Sequence, residues 1–223
     1  MEDSERAEKI YLQLLEFYGN PGRDSPTDPL DELIITILSQ NTNDANRDRA
    51  YVALRNKFPT WEDVRDADPQ AVIDVIRPAG LGNTKGPRIQ AVLQGISTER
   101  GGLDLDFLSK FSKEEAFEWL VHFKGGGFKT ASIVLQFSLG KPAFPVDTHI
   151  YRVSGRLGLR PMEMNVELAH KHLANLFPEE AYYSVHLNLI RLGREICRAR
   201  KPECNCCPLR EWCNFFVDET ACD

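Results

Sequence analysis

Apolar residues recur along this chain with the period of an α-helix. Leu30, Leu33, Ile34, Ile37 and Leu38 fall at i, i+3, i+4, i+7 and i+8, which lays one apolar stripe along one helical face. Ser112-Lys113-Glu114-Glu115 has the form of a capping box ahead of a helix carrying Phe117, Leu120 and Val121. Asn165 and Pro178 open two further segments, ending near Phe177 and Cys197. In the second of these, Tyr182, Val185, Leu189, Leu192 and Ile196 form the core face. No stretch alternates with the two-residue period of a strand. The pattern predicts an all-α protein with short loops and a loose tail from Val217 to Asp223.

Composition narrows the class. A chain of 223 residues can bury one large core or two smaller ones. Its net charge of -6 argues against a polybasic nucleic-acid coat. A local basic face is still possible, because residues 191–201 hold Arg191, Arg194, Arg198, Arg200 and Lys201 against Glu195 alone. The first residues, MEDSERAEKIY, are acidic and polar, unlike a signal peptide, and no window is apolar for long enough to span a membrane. Six cysteines without an export signal fit metal ligation in a reducing compartment better than disulfides.

Four of those cysteines, Cys197, Cys204, Cys207 and Cys213, are spaced C-x6-C-x2-C-x5-C. Four thiolates in so short a window can close around one metal centre. A zinc ribbon has two C-x2-C knuckles, and this segment has one. The spacing therefore suits a cubane [4Fe–4S] cluster, whose corners lie wider apart than the ligands of one ion, with zinc as the alternative. Cys206 and Cys222 fall outside the ligand spacing and have no assigned role.

The second chemical passage runs from Phe123 to Leu159. Gly125, Gly126 and Gly127 form a tight turn between two helices, a place where exposed N–H groups can meet a phosphate. Lys129 sits in the first turn of the following helix, which is expected to run about 12 residues, or roughly 18 Å, to Leu139. The loop from Gly140 to Val146 contains Pro142 and Pro145 and can span about 23 Å. It is long enough to bring the chain back and set Asp147 beside Lys129. Asp147 also reads as the N-cap of the next helix, THIYRVSGRL, where free N–H groups and the helix dipole favour a carboxylate.

This glycine hairpin, lysine, proline-bearing loop and aspartate resemble the helix–hairpin–helix–GPD superfamily of DNA glycosylases. With the four-cysteine pattern, the chain is similar to its endonuclease III branch from about Leu30 to Cys213. The segments LSQNTND (Leu38 to Asp44) and GLGNTK (Gly80 to Lys85) also resemble family loops that enter DNA at a lesion. The resemblance implies a six-helix barrel over residues 29–142 and a cluster domain over 1–28 and 143–223, with the active site in the cleft between them. It further implies a monomer in the cytoplasm, associated with the nucleoid, acting on double-stranded DNA that carries damaged bases or abasic sites.

The implied chemistry is bifunctional. The nucleotide is flipped out of the duplex, and Lys129 attacks the sugar C1′. The base leaves, and β-elimination from the Schiff base breaks the strand. Asp147 would stabilise positive charge on the sugar. Gln40, Asn41 and Leu81 are candidates to fill the gap, a buried loop residue being the plain reading of Leu81. Lys124, Gly125, Gly127, Arg198, Arg200 and Lys201 are candidates for phosphate contact. His149 and His186 read as satisfied core or supporting histidines. Two departures stand out. The hairpin reads FKGGGFKTA where the family has a form like LPGVGRKTA, which suggests a floppier, more cationic loop on the same backbone path, and Asn41 replaces a longer glutamine.

Oxidised pyrimidines are the expected substrates. One competing reading keeps the fold and the lyase chemistry but removes uracil or thymine opposite guanine, or another damaged base. A second is a non-catalytic iron–sulfur protein that binds DNA or carries electrons, which would need neither Lys129 nor Asp147.

Overall fold

A computed structural model of the chain describes residues 2–23, 25–123 and 125–216. Lys124 and the tail from Val217, including Cys222, lie outside the described residues. Among the described residues there are α-helices, short 3-10 turns and loops, and no strand. The helices are α1 (Asp3–Tyr18), α2 (Pro29–Ser39), α3 (Asp44–Lys57), α4 (Trp61–Asp66), α5 (Pro69–Val75), α6 (Gly82–Arg100), α7 (Lys113–His122), α8 (Phe128–Ile133), α9 (Thr148–Arg156), α10 (Val166–Ala174) and α11 (Tyr182–Glu195). The chain divides into two compact units, Pro26–Lys141 and Met1–Ser25 with Pro142–Asp223.

In the Pro26–Lys141 unit, α2 starts where the Asp28 side chain accepts from the N–H groups of Leu30 and Asp31 at 2.9 and 3.0 Å. Its apolar stripe is fully buried. The β-branched residues Ile34, Thr36 and Ile37 are weak helix formers, each costing at most about 0.7 kcal/mol relative to alanine. Burial of a single isoleucine contributes about 1.5–3 kcal/mol, so packing decides the helix. α6 crosses α5 closely at Gly86, where a Cβ would stand 2.9 Å from Ile73 Cγ1. Ser112 caps α7 through the expected capping box with Glu115.

α8 departs from expectation. It continues beyond Ile133 as a π-helix over Val134–Ser138, closed by a bond from Leu139 N to Val134 O at 3.1 Å. Thr130, Ala131, Ser132, Val134, Leu135 and Gln136 are all buried, so the segment is enclosed on most sides. Its register follows the packing around it rather than one amphipathic face.

The other unit packs α1 and α9 against α11. Ile10 and Leu14, Ile150 and Val153, and Val185, Leu189 and Leu192 share one core. Asn165 caps α10 by accepting from Leu168 N at 2.8 Å. Arg6 ties α1 to the far end of the chain, donating to Leu157 O at 3.1 Å and to Asn214 at 2.7 Å.

Candidate functional site

The glycine hairpin joins α7 to α8, and its turn is closed by Gly126 N donating to Phe123 O at 2.8 Å. Gly125 has φ +128°, and a Cβ there would stand 2.7 Å from Arg88 Cγ. A Cβ on Gly126 would stand 1.8 Å from the carbonyl oxygen of Leu120. The extra glycine therefore lets the turn pack against α7 more closely than any side chain allows, and the expected floppiness is corrected to close approach. Gly127 is the N-cap of α8, and Lys129 is half-buried in its first turn.

Asp147 belongs to the other unit. It caps α9 as expected, its Oδ1 accepting from Ile150 N at 2.8 Å. Two buried histidines hold the loop before it. His186 Nδ1 lies 3.0 Å from Pro145 O, and His170 Nδ1 lies 3.1 Å from Phe144 O and 3.3 Å from Val146 N. Pro142 and Pro145 supply no backbone N–H, so side-chain rings take over part of the loop's hydrogen bonding. His149 is half-buried beside Arg152, 3.3 Å from its guanidinium.

The two expected DNA-entering tips carry backbone outliers. Asn41 has φ 52° and Leu81 φ 53°; Lys201, with φ 51°, is the third non-glycine residue of this kind among those described. Leu81 is 54% exposed, so a buried loop residue is the wrong description of it. The Gln40 side chain accepts from Arg88 Nη1 at 2.7 Å.

Cys197, Cys204, Cys207 and Cys213 line one small pocket, walled by Val153, Leu192 and Ile196 and flanked by Arg156 and Arg210. Burial pushes the Cys207 thiol up to about 11, and the nearby sulfurs of Cys197, Cys213 and Cys204 add to the shift. Thiols that oppose one another's ionisation need a central positive charge to ionise together. Among the described residues no three His, Cys, Asp or Glu side chains are placed to hold a single metal ion. The four thiols around one cavity are a donor set suited to a metal centre. Cys206 points elsewhere and is exposed.

The basic stretch is less cationic than its sequence suggests. Arg191 pairs with Glu195 at 2.9 Å and Arg198 with Glu203 at 3.1 Å, while Arg200 and Lys201 are exposed.

Residues 34–179 match the pattern of the HhH-GPD superfamily of base excision DNA repair proteins. The chain belongs to this superfamily. Endonuclease III of Thermotoga maritima is 33% identical over 196 residues, covering 88% of this chain and 87% of that protein. A candidate DNA glycosylase of Arabidopsis thaliana is 37% identical over 172 residues, and the match spans 77% of this chain but only 59% of that relative. A solved structure of an endonuclease III–DNA covalent intermediate superposes with a TM-score of 0.85 at 26% identity, covering 99% of this chain and 100% of that one.

As an HhH-GPD protein, this chain has supporting residues that its sequence did not single out. Arg156 Nη1 lies 3.4 Å from Cys197 Sγ and donates to Arg198 O at 2.7 Å. Arg152 donates to the carbonyls of Gly193 and Cys197 at 2.8 and 3.1 Å. Both arginines sit on the helix that Asp147 caps, and neither carries a local signal, because their partners are more than 40 residues away.

Proposed function

We propose that this HhH-GPD protein is a bifunctional DNA glycosylase and AP lyase of base excision repair, removing oxidised pyrimidines from duplex DNA as a monomer on the cytoplasmic chromosome. The observation that carries the reading is Lys129 in the first turn of the hairpin helix, in a chain similar to endonuclease III over most of its length. In this reading residues 29–142 are the barrel domain and residues 1–28 and 143–223 the cluster domain.

The damaged nucleotide leaves the stack, because no side chain can reach its glycosidic bond inside the duplex. The neutral Lys129 amine forms a bond to C1′ as the bond from C1′ to the base breaks, and the base leaves with the electron pair. Loss of the amine protons and opening of the sugar give a Schiff base. Removal of a C2′ proton then expels the 3′ phosphate, which cuts the strand. Asp147, held as an N-cap, offers a fixed negative charge to the sugar as it becomes positive. Gln40, Asn41 and Leu81 fill the space the nucleotide vacates. Gly125, Gly127, Lys124, Arg198, Arg200 and Lys201 contact phosphates.

Cys197, Cys204, Cys207 and Cys213 would hold a [4Fe–4S] cluster, supported by their shared pocket and by a donor set of four thiols. When bound, it would cross-link the C-terminal segment and fix Arg198, Arg200 and Lys201 in their loop.

Borohydride trapping on abasic duplex tests the reading. Wild-type protein should form a covalent adduct, and Lys129→Ala should form none while still binding that DNA. Asp147→Asn should lower base excision by roughly a hundredfold or more with the fold intact. Trapping by Lys129→Ala at the wild-type rate would overturn the assignment. A panel of duplexes with single lesions would then separate oxidised pyrimidines from mismatched uracil or thymine.

A further inference from the structure

Lys85 is the largest fully buried side chain among the described residues, with 1% of its surface exposed. Its Nζ donates to two main-chain carbonyls, Leu38 O at 2.8 Å and Ala79 O at 2.7 Å. Burial pushes its amine below the ordinary lysine range. An apolar side chain of similar volume, such as methionine, would fill the same space without that cost. What methionine cannot supply is a pair of directed donors.

Both acceptors sit at helix ends, where carbonyls lack helical partners and carry partial negative charge. Leu38 lies in the last turn of α2, just before Gln40 and Asn41. Ala79 ends the 3-10 turn Arg77–Ala79, just before Gly80 and Leu81. One amine thus joins the stems of two loops whose tips, Asn41 and Leu81, are left-handed. Such conformations persist where the surroundings fix them. The Lys85 backbone N–H adds a bond to Leu81 O at 2.9 Å. Three residues further along α6, Arg88 bonds the Gln40 side chain and lies against Gly125 of the hairpin.

We propose that Lys85 is a positioning residue for lesion recognition, its Nζ fixing the Leu81 tip relative to the Gln40–Asn41 tip so that both can enter the gap left by a flipped nucleotide. The inference rests on the reading of those tips given under Proposed function. It adds a residue that never meets DNA yet sets how well damaged and intact duplexes are told apart.

The test compares affinities of the full chain for a duplex holding a tetrahydrofuran abasic analogue and for the same duplex undamaged. Wild-type protein should prefer the analogue; no preference would sink the functional reading together with this inference. Lys85→Met should lower the preference about tenfold or more, since a misplacement on the order of 1 Å can cost up to a hundredfold. Its affinity for intact duplex and its salt slope should stay within about twofold of wild type, because phosphate contacts carry no base information. General structural damage would lower both affinities together. In a Leu81→Ala background the same substitution should add little, because the tip it positions has lost its side chain. An undiminished preference in folded Lys85→Met, or fully additive losses, would overturn the inference alone. Should Lys85→Met not fold, the 15N resonance of Lys85 Nζ in wild-type protein should shift on the analogue duplex and not on the intact one. Equal responses to the two duplexes would also overturn it.

Discussion

Arg156 places Nη1 3.4 Å from the sulfur of Cys197 and, through its own carbonyl, accepts from the sulfur of Cys213 at 3.4 Å. One residue of α9 therefore touches the first and last members of the thiol set. Its guanidinium also holds the carbonyls of Arg198 and Ala199 at 2.7 and 3.2 Å. Replacing Arg156 by methionine keeps the stem and removes the donors. We expect a loss of about 1–3 kcal/mol in unfolding free energy and faster release of any bound iron to a chelator. Arg156→Lys should restore little, because one ammonium cannot reproduce the planar fork. Thermal melts and visible absorbance during chelation measure both effects.

Arg200 and Lys201 are the exposed cations of the same loop, whereas Arg198 is shared with Glu203. If both meet phosphates, Arg200→Ala with Lys201→Ala should reduce the log–log salt slope of duplex binding by about two, at about 0.9 per contact. Arg198→Ala should change it by less. A slope unchanged in the double variant would place the phosphate-binding face elsewhere.

Gly126 should not tolerate the valine found in the usual family hairpin. Its missing Cβ would stand 1.8 Å from the Leu120 carbonyl oxygen, a backbone atom that cannot rotate away. Gly126→Val is expected to cost at least about 1–3 kcal/mol, the usual range for overpacking, and, on the proposed function, to slow strand cleavage by shifting Lys129. At Gly127 a Cβ would have nothing within 4 Å, so alanine should be accepted there with little loss of stability. Equal melting temperatures for Gly126→Val and wild type would show that the turn relaxes freely.

Glu32 gives the fold a pH dependence. Burial raises its carboxyl above the ordinary range; Arg47 and hydrogen bonds from Thr36 and Thr27 only partly oppose this, and Asp31 adds to it. Between the unfolded value, about 4.3, and the higher folded one, the native chain holds the extra proton, so stability falls as pH rises through that window. The cost is then fully present at neutral pH and absent well below the unfolded value. Glu32→Gln should raise the melting temperature at pH 7, and the gain should fade as pH approaches 4. A gain independent of pH would assign the effect to packing instead of charge.

Much of this was legible in the sequence because it depends on local spacing. The stripe from Leu30 to Leu38, the Ser112 capping box, the Asn165 and Asp147 caps and the four-cysteine spacing each need only a few neighbouring residues. The π-helix at Val134–Ser138 has no local signature, because its register follows what surrounds it. A run of three glycines has two physical meanings, freedom and close approach, and only the position of the Leu120 carbonyl tells them apart. Lys85, Arg156 and His170 carry no local signal, because their partners lie elsewhere along the chain. In sequence Lys85 is one more polar residue of a loop, and its Leu38 partner is 47 residues away.

The histidine-held loop before Asp147 bears on when the protein becomes competent. His170 lies 24 residues beyond Val146, and His186 lies 41 beyond Pro145. The helix of Lys129 packs against α2 and α7, both earlier in the chain, whereas the loop before Asp147 gains its histidine partners only from α10 and α11. During synthesis the setting of Lys129 can therefore form before the loop leading to Asp147 is held. A chain cut short within α10 would keep Asp147 as a helix cap but leave Pro145 without its His186 partner.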